Sequence, residues 1–84
     1  MAYDLDQLVK RLTDFLRTEL GVDEDITPDL ALVTNGLVDS AALMRLAAFI
    51  ERETGLRIPD KDVNVAHFDT IRQITAYLRQ RAGA

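Results

Sequence analysis

The sequence predicts an all-α fold, a small four-helix bundle with three main helices and one short helix. Apolar residues recur at helical spacing along most of the chain, and glycine or proline separates the periodic stretches. No segment alternates between apolar and polar residues as a half-buried strand would, so no sheet is predicted. A chain of 84 residues has room for one domain, which we predict to span residues 1–84.

The first helix is predicted from about Leu5 to Leu20. Its apolar side chains form one stripe, and charged side chains occupy the opposite face. Asp4, with Gln7 three residues later, matches a capping box at the start of this helix. Gly21 is a typical residue to end it.

A long loop is predicted for residues 22–39. The stretch shows no sustained periodicity and contains Pro28 and Gly36. It also carries too many apolar side chains for a free linker, which indicates a loop held against the core. Structured loops of this length in compact domains are often functional.

The second helix is predicted from Ser40 to about Thr54, and Gly55 ends it. Its inward stripe consists of Leu43, Leu46, Ala47 and Ile50.

The rest of the chain is predicted to hold the short helix and the last long one. The short helical segment starts at Pro59 and runs to about Val63. The last helix follows Thr70, which with Gln73 forms a second capping-box pattern.

Composition excludes several classes of function. The net charge of −4 and the pI of about 4.7 argue against a nucleic-acid partner, which requires a basic face. The chain has no cysteine and one histidine, so we predict no metal site. No apolar run of about 20 residues and no signal-peptide pattern are present, so we expect no membrane association and a cytoplasmic location.

Two candidate sites fail on their spacing. The acidic stretch Asp23 to Asp29 lacks the glycine and the glutamate that an EF-hand loop needs at its sixth and twelfth positions. Ser40, His67 and either Asp39 or Asp69 supply the residue types of a hydrolase triad. However, no G-x-S-x-G elbow surrounds the serine and no strand is predicted to carry one, so the chain is not predicted to be an enzyme.

The most informative stretch is "NGLVDSAALMRL", residues 35–46, where a turn leads into the second helix. Ser40 at this junction is either a helix cap or a site of covalent attachment. Asp39 immediately before it is an equally good cap, which would leave the Ser40 hydroxyl free. The unpaired N–H groups and the positive dipole end of a helix start also favour a phosphate there.

The sequence resembles the acyl and peptidyl carrier proteins, which bear a phosphopantetheine group. The similarity rests on "GLVDS" at Gly36–Ser40, "LGV" at Leu20–Val22, "GLRIPDKDV" at Gly55–Val63 and "HFDTIRQITAYL" at His67–Leu78. These motifs occur in the order and at the spacings of that family, and they cover nearly the whole chain.

The resemblance implies that a separate phosphopantetheinyl transferase moves 4′-phosphopantetheine from coenzyme A to Ser40, using Mg²⁺ in its own site. It also implies that Asp39 assists recognition by the transferase. An adenylating or acylating ligase would then load the thiol of the arm, and downstream acyl-processing enzymes would act on the thioester. The residues implied to form the docking surface for these partners are Leu37, Val38, Ala41, Met44, Arg45 and Ile58.

The chain departs from the fatty-acid carriers of this family. Ala41 stands where those carriers usually have leucine, and Arg45 and Arg52 make the second helix less acidic. The residues of its "GLVDS" and "FDTI" motifs are more similar to those of free-standing carriers of peptide-synthetase or specialised-metabolite type. We therefore expect a discrete, monomeric carrier whose cargo is an amino acid or a small carboxylic acid. The alternative is a small helical adaptor without a prosthetic group, in which Ser40 is only a cap.

Overall fold

The computed structural model describes residues 3–83, and the part of the chain that it describes is helical without a strand. Four α-helices follow one another: α1 (Leu5–Thr18), α2 (Ser40–Thr54), α3 (Val65–Phe68) and α4 (Ile71–Gly83). A single 3₁₀ turn, Asp60–Asp62, lies between α2 and α3. The predicted all-α fold is confirmed. None of the helices described for residues 3–83 is both long and apolar enough to cross a bilayer.

One hydrophobic core joins the four α-helices. Its largest fully buried side chains come from every α-helix and also from the long loop between α1 and α2: Phe68, Leu12, Leu16, Leu32, Leu46, Ile50, Ile74, Leu78 and Val38. The loop contributes Leu32 and Val38, whose exposed fractions are 0% and 1%. Because these two side chains are sealed in the core, the loop is pinned at both points and holds the start of α2 in place.

α1 begins as predicted and ends earlier. The Asp4 carboxylate accepts hydrogen bonds from the Asp6 and Gln7 amides, as expected of an N-cap. The helix ends at Thr18, two residues before the predicted end, because Gly21 with φ +70° turns the chain.

α4 begins with the predicted reciprocal cap. The Gln73 amide donates to the Thr70 hydroxyl, and the Thr70 amide donates to the Gln73 side chain, both over 3.0 Å.

The short helix lies further along the chain than predicted. The segment starting at Pro59 forms only the 3₁₀ turn, and Val63 leaves helical geometry with φ −83° and ψ 82°. The Asn64 side chain then accepts a hydrogen bond from the His67 amide over 3.1 Å and starts α3. Burial of Phe68 fixes this single turn against α4, where its ring lies 5.5 Å from that of Tyr77. A tertiary contact therefore decides the position of α3, which local propensity cannot show.

Candidate functional site

Ser40 is the first residue of α2, and Asp39 is its cap. Asp39 has an extended backbone, with φ −84° and ψ −178°. Its carboxylate oxygen Oδ1 accepts a hydrogen bond from the Ala42 amide over 2.8 Å, and its backbone oxygen accepts one from the Leu43 amide over 2.8 Å. Since Asp39 performs the capping, the helix does not require the Ser40 side chain.

The Ser40 hydroxyl is free for chemistry. The residue is exposed, and its oxygen forms no hydrogen bond with any other residue between 3 and 83. The backbone N–H groups of Ser40 and Ala41 belong to the first turn and have no acceptor within the helix. An exposed hydroxyl beside unpaired N–H donors at the positive end of a 15-residue helix suits a phosphodiester.

The turn before Ser40 is closed by backbone hydrogen bonds. Gly36 has φ +75°, a left-handed conformation that glycine adopts at little cost, and its amide donates to the Val33 oxygen. The amides of Leu37 and Val38 both donate to the Leu32 oxygen over 2.9 Å. The buried Val38 side chain follows directly from this closure. Ser40 therefore stands two residues beyond an anchor in the core, which places its backbone at the surface of the bundle.

A carboxylate from the distant α3–α4 junction holds this turn. Asp69 Oδ1 accepts hydrogen bonds from the Val33 and Thr34 amides, both over 2.9 Å, and Oδ2 accepts one from the Thr34 hydroxyl over 2.7 Å. The Asp69 backbone oxygen also accepts from the Leu32 amide over 2.7 Å. We call these contacts the Asp69 clasp. The clasp links α4 to the segment that presents Ser40.

Sequence reasoning missed the Asp69 clasp and considered Asp69 only as a triad member. The partners lie 36 and 35 residues away in sequence, so no local spacing reveals them. Burial acts to raise the pKa of the Asp69 carboxyl, but the hydrogen bonds from Thr34 and Val33 outweigh it, and the net pKa is lowered. The clasp therefore holds a charged carboxylate.

A second contact braces the earlier part of the loop. The Arg72 guanidinium on α4 forms a two-point ion pair with Asp29, with distances of 2.6 and 3.0 Å. The Arg72 amide donates to the Pro28 oxygen over 3.0 Å. The hydrogen bond from Arg72 is the largest influence on the pKa of Asp29, and it lowers that pKa. The Asp29 carboxylate therefore holds the loop against α4. It belongs to the acidic stretch Asp23 to Asp29, whose spacing does not match a calcium loop.

The residue types of a hydrolase triad have structural roles instead. His67 Nδ1 lies 3.0 Å from the Asp62 backbone oxygen, and the His67 ring packs at 4.8 Å from the Tyr77 ring. The Tyr77 hydroxyl donates to the Asp62 carboxylate over 2.6 Å. The Asp69 carboxylate is taken up by the clasp. These contacts hold the chain around α3 against α4 and leave Ser40 without a partner base.

The predicted docking residues divide into two groups. Ala41, Met44 and Arg45 are exposed on α2, and Leu37 is half-buried in the turn. Val38 and Ile58 are core side chains, with exposed fractions of 1% and 6%. Placing those last two on an exposed surface was wrong.

The burial of Val38 and Ile58 has a physical reason in each case. Val38 closes the turn over the core. Ile58 is drawn inward where its amide donates to Glu51 over 2.8 Å.

Comparison with known proteins places this geometry in context. The family model described as "Phosphopantetheine attachment site" matches residues 10–78. The acyl carrier protein of Treponema denticola is 27% identical, over 92% of this chain and 97% of that protein. The acyl carrier protein of Rhodococcus erythropolis is 29% identical, over 92% of this chain and 76% of that protein. The meromycolate extension acyl carrier protein of Mycolicibacterium smegmatis is 25% identical, over 95% and 80%.

A solved structure also resembles this chain. It is the "Crystal structure of FAD-dependent dehydrogenase", and the similarity has a TM-score of 0.69 at 28% sequence identity. The match covers 80% of this chain and 97% of the chain in that crystal structure. The chain in that crystal structure is therefore nearly as short as the segment of this chain that it matches.

Proposed function

Because the chain belongs to the acyl carrier proteins, non-catalytic carriers of acyl groups on a covalent 4′-phosphopantetheine, we propose that Ser40 is the attachment residue. One observation supports this most strongly. The single serine of the sequence has an exposed hydroxyl without a hydrogen-bond partner among residues 3–83, at the start of a helix that Asp39 already caps. The proposal extends to the domain, residues 1–84 forming one carrier unit.

The attachment chemistry places few demands on the carrier. Ser40 Oγ attacks the phosphorus that joins phosphopantetheine to the nucleotide part of coenzyme A. A new O–P bond forms, the pyrophosphate bond breaks, adenosine 3′,5′-bisphosphate leaves, and the hydroxyl proton passes to a base of the transferase. Once attached, the group supplies a thiol that forms the thioester with the cargo. The carrier's own residues hold the hydroxyl outward and offer the first-turn N–H groups of α2 to the new phosphodiester.

Two loading reactions, one with coenzyme A and one with acetyl-coenzyme A, test this function. The protein is incubated with coenzyme A, Mg²⁺ and a broad-specificity phosphopantetheinyl transferase, and its intact mass is measured. We expect one phosphopantetheine per chain, and with acetyl-coenzyme A we expect one acetyl-phosphopantetheine. An unchanged mass in both reactions would favour the adaptor alternative.

Asp39 offers a way to separate capping from recognition. Asp39→Ala removes the acceptor of the Ala42 amide and should lower the free energy of unfolding by about 1 kcal/mol. Asp39→Asn keeps a capping oxygen, so its stability should stay close to that of the wild type. We expect both variants to be loaded more slowly, because we propose that the transferase recognises the carboxylate. Urea unfolding and initial loading rates measure the two effects, and wild-type loading of Asp39→Asn would show that Asp39 only caps.

We propose that the cargo is an amino acid or a small carboxylic acid. The departures at Ala41 and Arg45 from fatty-acid carriers support this, and so does a core made of large, fully buried leucine, isoleucine and phenylalanine side chains. Loading the protein with acetyl- or dodecanoyl-phosphopantetheine tests the size of the cargo. We expect the same melting temperature for both forms. A higher melting temperature for the dodecanoyl form would indicate that the core takes up a long chain.

An FAD-dependent dehydrogenase is a specific candidate among the acyl-processing partners. The resemblance to a carrier-sized chain in the crystal structure of such an enzyme favours it. The chemistry fits a thioester, whose carbonyl acidifies the neighbouring C–H bond. Such an enzyme would remove the α-hydrogen of the cargo as a proton and the β-hydrogen as a hydride, so that the saturated acyl group becomes α,β-unsaturated and FAD supplies the two-electron oxidation.

The dehydrogenase of that crystal structure is the probe for this partnership. With butyryl-loaded carrier, we expect the carrier mass to fall by two hydrogens and the flavin absorbance to bleach in the absence of oxygen. The matched control is free butyryl-pantetheine at the same concentration, which should react much more slowly. Equal rates for the two substrates would show that the carrier is not recognised.

A further inference from the structure

The outer face of α2 forms a continuous exposed stripe that starts beside Ser40. Exposed positions recur at intervals of three or four residues along this 15-residue helix, so their side chains project in the same direction. We call this surface the α2 stripe; it consists of Ala41, Met44, Arg45, Ala48 and Arg52. Met44 is one of the few large apolar side chains left exposed, at 48%. A partner that reaches the Ser40 hydroxyl would lie along this stripe.

The two acidic residues of α2 are engaged within the molecule. Glu51 accepts a hydrogen bond from the Ile58 amide over 2.8 Å. Glu53 pairs with Arg11 of α1, at 2.6 Å to Nε and 3.1 Å to Nη2, and its side chain is only 16% exposed. Neither carboxylate belongs to the stripe. α2 carries two arginines and two glutamates, so its formal net charge is zero. Because both glutamates are engaged within the molecule, the charge that the helix presents to solvent is that of its arginines.

The two arginines of the stripe are available to a partner. The Arg45 side chain is 57% exposed, and its nearest carboxylate, that of Glu19, lies 3.7 Å away and is 56% exposed itself. Such an exposed pair is worth little and exchanges readily. The Arg52 guanidinium lies 5.8 Å from the Phe49 ring centroid. Seven residues separate the arginines, so their positions on the helix axis are about 10.5 Å apart.

A groove of mixed polar and apolar lining lies beside these arginines. It has a volume of about 260 Å³ and is lined by Phe15, Glu19, Arg45, Ala48, Phe49 and Arg52. The Phe15 and Phe49 rings form its floor as a stacked pair, with centroids 4.4 Å apart. The surface thus combines two cations with a recess between α1 and α2 that has an aromatic floor and the exposed Glu19 carboxylate at its edge.

We infer that the α2 stripe docks an acidic surface of the enzyme that loads or processes the cargo. That surface would carry two carboxylates about 10 Å apart, one for each arginine, and an apolar side chain that enters the groove between them. The inference rests on the proposed carrier function and specifies the chemistry of its partners. A partner whose docking site is basic would meet Arg45 and Arg52 with like charge.

A charge-swap experiment tests the inference. The probe is an acyl ligase whose docking site for carriers is lined by lysine and arginine, together with its variant in which those residues are glutamate. We expect the acidic ligase to load this carrier about two- to thirtyfold faster than the basic parent, the range that two exposed charge pairs provide. The preference should reverse for the Arg45→Glu/Arg52→Glu double variant. It should also shrink at high salt.

Two controls keep the outcomes distinct. Arg79→Glu makes the charge change of one of these two substitutions at an exposed position of α4 and should keep the preference of the wild type, whereas Arg45→Glu alone should weaken it. All variants are first converted to the phosphopantetheine form and checked by mass, so a failure at Ser40 is recognised before docking is measured. Equal loading by both ligases, or faster loading by the basic parent, would overturn the inference. A reversed preference in Arg79→Glu would overturn it as well, because net charge would then explain the effect.

Discussion

Replacing Ser40 with alanine is expected to abolish phosphopantetheine loading completely while the protein stays folded. The variant removes the hydroxyl that we propose as nucleophile, and the sequence has no other serine. Because Asp39 caps α2 and Ser40 is exposed, the free energy of unfolding should change by no more than about 0.5 kcal/mol. Intact mass after incubation with coenzyme A, Mg²⁺ and the transferase measures loading, and urea unfolding measures stability.

Ser40→Ala also distinguishes the carrier from the adaptor alternative. In an adaptor, neither the wild type nor the variant would gain mass, and since Asp39 already caps α2 the two proteins would have the same stability. Ser40→Thr is the matched control, since it restores a hydroxyl at the same position and should recover part of the loading. A mass gain in Ser40→Ala equal to that of the wild type would contradict our assignment.

Among the variants of the loop and the site, Asp69→Ala is expected to lower the free energy of unfolding the most. It leaves the Val33 and Thr34 amides without their acceptor and frees the turn before Ser40. Several hydrogen bonds to one buried carboxylate are lost, and hydrogen bonds to charged groups are worth about 1.5–3 kcal/mol, so we expect a loss of about 3 kcal/mol. For a domain of this size, that corresponds to a fall in melting temperature of roughly 12–24 °C.

The Asp69 clasp should also show in the loading rate. At a temperature where Asp69→Ala remains folded, we expect slower loading, because the turn no longer holds the Ser40 hydroxyl in one place. Thr34→Val is a milder control that removes only the hydroxyl contact to Asp69 Oδ2. Wild-type stability and loading in Asp69→Ala would show that the clasp does not position the site.

Lowering the pH should reduce the contribution of the Asp69 clasp to the free energy of unfolding. The pKa of Asp69 is lower in the folded protein than its ordinary value of about 3.9, so the unfolded chain binds more protons near that pH. The clasp therefore contributes fully above about pH 4, and its contribution falls as the pH drops through the lower pKa of the folded state. The lowered pKa of Asp29 acts in the same direction. Asp69→Asn should lose less stability than the wild type between pH 5 and pH 2, as urea unfolding can measure.

Local signals in the sequence predicted much of the fold. Capping patterns at Asp4 and at Thr70 with Gln73 mark helix starts through hydrogen bonds to residues two or three positions away. The start of α2 followed from the same reasoning, because Asp39 beside Ser40 offered two caps and only one is used. Such contacts depend on neighbouring residues alone, and a single sequence records them.

Long-range contacts could not be predicted from the sequence. The Asp69 clasp joins residues 35 or more positions apart, and the pairing of Glu53 with Arg11 joins residues 42 apart. These contacts tie the turn before Ser40 to the α3–α4 junction and leave arginine as the exposed charge of α2. The burial of Val38 and Ile58 has the same origin, since apolar residues beside a predicted site look alike whether they face a partner or the core.

Fragment-ion mapping of the loaded protein tests the central claim most directly. Trypsin should release residues 18–45 as one peptide, which contains Thr18, Thr27, Thr34 and Ser40 as its hydroxyl residues. After incubation with coenzyme A, Mg²⁺ and the transferase, we predict that fragment ions place the phosphopantetheine on Ser40 and on no threonine. Modification at Thr34, or an unmodified peptide from a folded protein exposed to an active transferase, would contradict the claim.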